Sequence, residues 1–342
     1  MALRGAHESI CDQRERLIVM SNSGRVVYQN GNFVAEADAR ISIFDSALMF
    51  GDMVFEMTRS FDGKQFRLRE HLERLMAGVK ILQIPLVLGI DDLELICDEV
   101  VQRNSDAFSK TDEHRLMINI SRGPLGIYRE IFDGVLEPTV IVADFPLKWT
   151  VAGMGELFDL GINAVVPSQR AIPASLMDPK IKNRSRLFYQ IANIEVSKVK
   201  GERNWALLLD PDGFVTEGTG DNFFIVRDGQ VITSLGTNVL RGVSRQYIFE
   251  LCEELGVTCR EESFGLYDVH TADEAFMTGT PFCLLPVSSL NDLPIGSAAM
   301  GPVTRQLLDR WSSNVGLDIE KQIKNFNKET EQVRGTSPYQ FK

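Results

Sequence analysis

The sequence predicts an α/β (α+β) chain folded as two domains. Three observations predict it. A length of 342 residues exceeds what one ordinary core serves. Short β-rich runs alternate with helical periodicities through both halves. The pattern weakens between Pro146 and Gly161, where Gly153 and Gly155 fall. The expected organisation is an α/β domain over 1–148, a connection over 149–160, a second α/β domain over 161–325 and a charged tail over 326–342.

Residues 1–15 are polar. From Arg16 to Val34, Leu17–Met20 and Arg25–Tyr28 are broken by Ser23-Gly24 and Asn30-Gly31, the turn residues of hairpin strands. Asp52–Arg59 reads as another strand. Between Glu70 and Gln83, Leu72, Leu75, Met76, Val79 and Leu82 share one helical face. Asp91-Asp92 caps a second helix carrying Leu93, Ile96, Val100 and Val101. Arg115–Ser121 and Thr139–Ala143 are buried strands by their apolar content. In the second half, strands are expected at Ile162–Val166, Trp205–Leu209, Phe214–Glu217, Asn222–Val226, Val231–Thr233 and Ala275–Thr278. Helices are expected at Ser185–Lys198, Ser244–Leu255 and Gly301–Ser313.

Composition narrows the function. A net charge of −11 argues against general nucleic-acid or anionic-membrane binding. Cys11, Cys97, Cys252, Cys259 and Cys283 form no C-x-x-C pair, and the four histidines form no ligand cluster, so no metal is expected and reduced thiols fit a cytoplasmic protein. The first residues lack the apolar core of a secretion signal, and no apolar run nears the roughly 20 residues that span a bilayer.

Four stretches carry chemistry. Lys182 follows Pro179; a lysine ending a strand beside a cavity can be desolvated, which frees its amine for Schiff-base formation. Lys180, two residues away on the same strand face, is its rival. Glu217 in Thr216-Glu-Gly-Thr-Gly220 reads either as a turn glutamate or as a carboxylate facing a ring nitrogen. Arg241-Gly242-Val243-Ser244-Arg245 opens a helix whose first N–H groups would attract a phosphate, with Ser244 a candidate cap. Thr278-Gly-Thr280-Pro281 closes a strand and would offer a further N–H and hydroxyl, while Arg67 would add a charge-assisted contact or pair with Glu70 or Glu73. A lysine, a carboxylate and two Gly- and Thr-rich turns are the parts needed to hold pyridoxal 5'-phosphate.

In order, Ser42–Glu56, Phe66–Leu75, Lys180–Asn183, Thr216–Phe223, Leu240–Arg245 and Phe276–Thr280 resemble the fold-type IV (class IV) pyridoxal-phosphate family, and within it the branched-chain aminotransferases. The resemblance implies an N-terminal α/β domain and a C-terminal pseudo-barrel with the cofactor between them. It implies Lys182 as the catalytic Schiff-base lysine, Glu217 at the pyridine nitrogen, and Leu240 under the ring. Arg67, Gly242, Val243, Ser244 and Thr280 would hold the phosphate. Family members are typically homodimers whose pocket borrows a loop from the partner. Many place a tyrosine a few residues after the lysine, on the ring's 3-oxygen; here that position reads Arg186. Branched-chain enzymes offer two successive N–H groups after Gly-Thr to the substrate carboxylate; here the second would be Pro281, which has none.

The resemblance also bears on substrate. Phe50, Phe55, Arg115 and Ile127 stand at pocket positions, with Thr280 and Pro281. Ile127 replaces an arginine of the D-amino acid enzymes, and the Gln-Trp-Gly of the (R)-amine transaminases is missing although Asp178-Pro-Lys-Ile-Lys-Asn183 matches them. The expectation is a transaminase moving an amino group from a hydrophobic, branched-chain-like donor to 2-oxoglutarate or pyruvate through a pyridoxamine form. An (R)-amine or D-amino acid transaminase is one alternative; an aminodeoxychorismate lyase is another.

Overall fold

The computed structural model describes residues 24–297 and 299–329. Two sheets organise it. The first is formed by β1 (Val26–Gln29), β2 (Asn32–Ala35), β3 (Met53–Met57), β6 (His114–Ser121) and β7 (Thr139–Pro146), in the order β2-β1-β7-β6-β3. A small ribbon, β4 (Ser60–Phe61) with β5 (Lys64–Gln65), follows β3. All pairings in the first sheet are antiparallel. One face packs on helices Leu68–Ile81 and Ile90–Asn104, whose Leu72, Leu75, Leu93, Cys97 and Val100 meet Leu116, Ile118 and Val142 in one core. Those helices form where apolar residues recur every three to four positions, so each buries one stripe.

The second sheet curls on itself. Its strands are β8 (Ile162–Val165), β9 (Asn204–Leu209), β10 (Val215–Gly218), β11 (Asn222–Arg227), β12 (Gln230–Thr233), β13 (Cys259–Glu261), β14 (Glu274–Gly279), β15 (Cys283–Leu290) and β16 (Leu293–Pro294). The path β10-β9-β8-β15-β14-β11 returns to β10 through the pairing of Glu217 with Asn222, so six strands close a pseudo-barrel. Continuous burial of β8, β10 and β14 fits strands covered on both faces. Helices Val243–Leu255, Pro302–Val315 and Ile319–Glu329 pack outside, sharing the core of Phe223, Phe276, Leu285 and Trp311.

Several local expectations change. Leu17–Met20 lies outside the described residues. Residues 146–161 hold short helical turns, Lys148–Val151 and Leu157–Leu160, whose Leu157 and Phe158 are core. The stretch from Glu320 is not simply a charged tail: helix Ile319–Glu329 buries Ile319, Ile323 and Phe326, because its acids and lysines occupy only the outward face. β15 was not expected as a strand, since Pro286 interrupts its apolar run; it pairs nonetheless with β14 and β8. Ser244 is not the helix cap. Gly242 takes that position, with no side-chain cap bond.

Candidate active site

Between the first sheet and the barrel lie two adjoining cavities, and four residues line both: Lys182, Arg186, Glu217 and Leu240. Lys182 is not on a regular strand. Its segment runs along the open edge of β3, where Lys182 O accepts from Phe55 N at 3.0 Å and Arg184 N donates to Met53 O at 3.2 Å, with Asn183 bridging Val54. The lysine backbone is thus pinned to the first sheet, and its amine sits 4.9 Å from the Phe55 ring centroid. Burial lowers the Lys182 pKa to about 7; Glu56 pushes it up, while Arg74 and Arg186 push it further down. Lys180 lines neither cavity; it ion-pairs with Asp178 at 2.9 Å.

Glu217 belongs to β10 rather than to a turn, and the barrel closure buries it. Tyr189 Oη donates to Glu217 Oε1 at 2.8 Å; Asn222 Nδ2 and Leu240 N donate to Oε2 at 2.9 and 3.0 Å. Burial pushes its pKa up to about 7, against the Tyr189 hydrogen bond and the positive Arg186. A cation brought beside this carboxylate would return it to the ionised form. Asp221 lines the same cavity with its pKa pushed up to about 8, again by burial, and its Oδ1 has no hydrogen-bond partner among the described residues.

The opposite flank of the first cavity is built for an anion. Gly242, Val243 and Ser244 at the uncapped start of a 13-residue helix face it, with Thr278, Gly279 and Thr280 from the end of β14. Gly242 has to be glycine: a Cβ there would lie 2.3 Å from Asn222 Oδ1, the amide that ties Glu217 to Leu240. The cation on this flank is Arg74. Its Nε and Nη2 donate to both oxygens of Glu56 at 2.6 and 2.7 Å, and Nη1 donates to Arg241 O at 2.8 Å. Arg74 and the buried His71 hold the Glu56 carboxyl far below the usual range despite burial; His71 Nδ1 lies 2.8 Å from Glu56 Oε2, and burial lowers the His71 pKa against the pull of that carboxylate.

Several residues expected at the site are not brought together. Arg67 lies off the cavity: both Nη atoms donate to Glu250 beneath Tyr247, and Nη1 also lies 3.6 Å from Glu70, the ion pair that the sequence offered as the alternative to a cofactor contact. Arg74, seven residues on, takes the cavity position. Phe50 and Ile127 are 65% and 77% exposed, and Arg115 is buried against Met57 and Phe145, away from both cavities. Phe55 is buried beside the amine, with the Arg184 guanidinium 3.6 Å over its ring. Pro281 turns its carbonyl to Arg59 at 3.1 Å. Sequence reasoning missed Arg74, Tyr189, Asp221 and Asn222. Arg74 was detectable as a cation at the edge of an apolar helical stripe, but its buried partner Glu56 lies on another element.

An amine, a carboxylate held by three donors, an uncapped helix start and a glycine-lined flank with a fixed arginine fit pyridoxal phosphate group by group. The donor set therefore suits this cofactor. Comparison with known proteins agrees. The family model for amino-transferase class IV matches residues 53–290. A putative branched-chain-amino-acid aminotransferase of Methanocaldococcus jannaschii is 33% identical over 83% of this chain and 94% of its own length. The branched-chain-amino-acid aminotransferase of Escherichia coli K12 is 31% identical over 82% of this chain and 90% of its own. A crystal structure of the Escherichia coli enzyme aligns at TM-score 0.73 with 28% identity, covering 90% of this chain and 96% of that one. A branched-chain amino acid aminotransferase from the organism abbreviated T.th., with pyridoxamine 5'-phosphate, also aligns at 0.73, with 26% identity over 92% and 99%. The chain belongs to the class IV aminotransferases and is a pyridoxal-phosphate-dependent transaminase.

Proposed function

We propose that this class IV aminotransferase takes the amino group of a branched-chain amino acid and delivers it to a 2-oxo acid, 2-oxoglutarate or pyruvate. The observation that carries the reading is a complete Lys182–Glu217 pair lining both cavities, with apolar Ile172, Met177, Ile181 and Phe188 around the second, in a chain whose relatives bear the branched-chain name. Those names favour it over the (R)-amine, D-amino acid and lyase alternatives.

When bound, the cofactor supplies a carbonyl carbon for nitrogen and a ring that withdraws electrons from the substrate Cα–H bond. Lys182 Nζ would hold that carbon and, as a free amine, would accept a proton from the substrate Cα and return it, a role that a pKa lowered to about 7 suits. Glu217, ionised by the neighbouring ring nitrogen, keeps a proton on that nitrogen, while Tyr189, Asn222 and Leu240 N–H fix the carboxylate. Val243 N–H, Ser244, Thr280 and Arg74 bind the phosphate, and Glu56 sets the aim of Arg74. Leu240, which lines both cavities, would exclude water from the ring.

Two coarser features complete the proposal. The enzyme works as a homodimer: exposed Leu48, Met49 and Phe50 adjoin exposed Ile127 and Ile131 through the Phe44–Tyr128 and Phe44–Phe132 contacts, an apolar surface suited to a second copy. It resides in the cytoplasm, where Cys97, Cys252, Cys259 and Cys283 stay as free thiols. No helix among the described residues is long and apolar enough to cross a membrane.

Borohydride trapping with peptide mapping tests the chemistry: the label belongs on Lys182. A donor panel tests the substrate. Turnover of leucine, isoleucine and valine supports it, and turnover of (R)-1-phenylethylamine alone overturns it.

A further inference from the structure

We propose that Arg186 binds the 3-oxygen of the cofactor, a permanent cation in place of a neutral phenol. The inference rests on the cofactor reading above and follows from the order of groups around the cavity. In pyridoxal phosphate the carbonyl-bearing carbon and the ring nitrogen lie at opposite ends of the ring. The phosphate arm leaves from one flank and the 3-oxygen from the other. Lys182 and Glu217 mark the two ends. Gly242, Ser244, Thr278 and Thr280 occupy one flank and line only the first cavity. The 3-oxygen then faces the remaining flank, the side of the second cavity, which contains none of these phosphate-flank residues. Arg186 lines both cavities and stands between them.

Its guanidinium is held ready. Nη2 donates to Thr219 O at 3.1 Å, and the plane lies 4.6 Å from the Tyr189 ring centroid and 5.4 Å from that of Phe55. Thr219 directly follows β10, the strand that carries Glu217, so Arg186 and Glu217 are held in register by one strand end. A guanidinium has five N–H donors, which leaves others for an incoming oxygen. The rivals on that flank are engaged. Tyr189 Oη donates to Glu217, Asn183 Nδ2 to Ile181 O at 2.9 Å, and Lys180 pairs with Asp178. Asn238 lines only the second cavity. A phenolic oxygen opposite a cation that does not titrate stays ionised.

The test is the affinity of apo-protein for pyridoxal phosphate and for 3-deoxypyridoxal phosphate, by equilibrium dialysis, in wild type, Arg186→Met and Arg186→Lys. A charge-assisted hydrogen bond corresponds to roughly ten- to hundredfold in affinity. Wild type should prefer the natural cofactor by that factor. Arg186→Met should bind both compounds alike, with affinity for the 3-deoxy compound unchanged within about threefold, which also shows that the variant is folded. Arg186→Lys should fall between. In a second readout, the pH midpoint of the bound cofactor's absorption should rise by roughly 1–3 units in Arg186→Met. A full preference for the natural cofactor in Arg186→Met, an equal loss of both compounds in both variants, or an unmoved midpoint would overturn the inference. Wild type that binds neither compound would instead defeat the cofactor reading, and this inference with it.

Discussion

The Lys182 amine sets a quantitative expectation for how the apo-protein captures its cofactor. Only the neutral amine attacks a carbonyl. With a pKa of about 7 instead of the ordinary 10.5, the neutral fraction at pH 7 is about one half rather than about 0.0003, a gain of roughly a thousandfold. The causes are structural: burial first, then the Arg74 and Arg186 charges, with Glu56 and Glu217 opposing. The perturbation is a pH series from about 5.5 to about 9.5, and the assay is stopped-flow absorption of pyridoxal phosphate binding to apo-protein. The capture rate should rise about tenfold per unit below pH 7 and level off above about pH 8. A rate still climbing tenfold per unit at pH 9 would refute the argument. The same groups shape apo-protein stability. Lys182 is depressed, so the unfolded chain holds its proton up to pH 10.5, and stability rises with pH from about 7 to 10.5. Glu217 and Asp221 are raised, so their contribution is full below their ordinary values near 4 and is lost as pH rises to about 7 and 8. Apo-protein should therefore be least stable near pH 7–8 as far as these three groups decide it, and cofactor attachment, which removes the lysine titration, should flatten the alkaline limb.

Replacing Glu56 by Gln removes the charge that holds Arg74 and His71 in a buried site, and should cost about 3–5 kcal/mol in urea unfolding. The same variant should bind pyridoxal phosphate more weakly while its affinity for phosphate-free pyridoxal is little changed. Glu217→Gln keeps an oxygen for Asn222 Nδ2 and Leu240 N and turns its amide to the Tyr189 hydroxyl, which can accept, so it removes the charge and leaves the contacts; kcat should fall at least a hundredfold while thermal unfolding changes by less than about 1 kcal/mol. Gly242→Ala forces a Cβ against Asn222 Oδ1 and should weaken cofactor binding about tenfold or more by dialysis, whereas Gly265→Ala, whose Cβ would meet only Gly213 O at 4.0 Å, should leave affinity unchanged.

Much of the site was legible because its key atoms lie close to short local patterns. The helix start at Gly242–Ser244 and the strand end at Thr278–Thr280 are local structures, and each presents N–H or hydroxyl groups wherever the chain places it. Other parts depend on long-range pairing. Arg67 and Arg74 are both arginines at the same helical segment, and only the burial of Glu56 in β3 against Arg74, and the approach of Glu250 to Arg67, decides which one serves the cavity. Phe50 and Phe55 are likewise indistinguishable by spacing. The strand pleat buries Phe55 beside Lys182, while the short helix Ser46–Phe50 leaves Phe50 exposed.

The chain by itself thus determined the α/β class, the family, and the lysine, carboxylate and glycine turns, because periodicity and turn chemistry act over a few residues. Tertiary structure decided which arginine lines the first cavity, how three donors converge on Glu217, and where Arg186 stands between the two cavities. Those relations come from barrel closure at Glu217–Asn222 and from docking the Lys182 segment on the edge of β3. Both join residues brought together by the fold, and electrostatics and burial act through space, not along the chain.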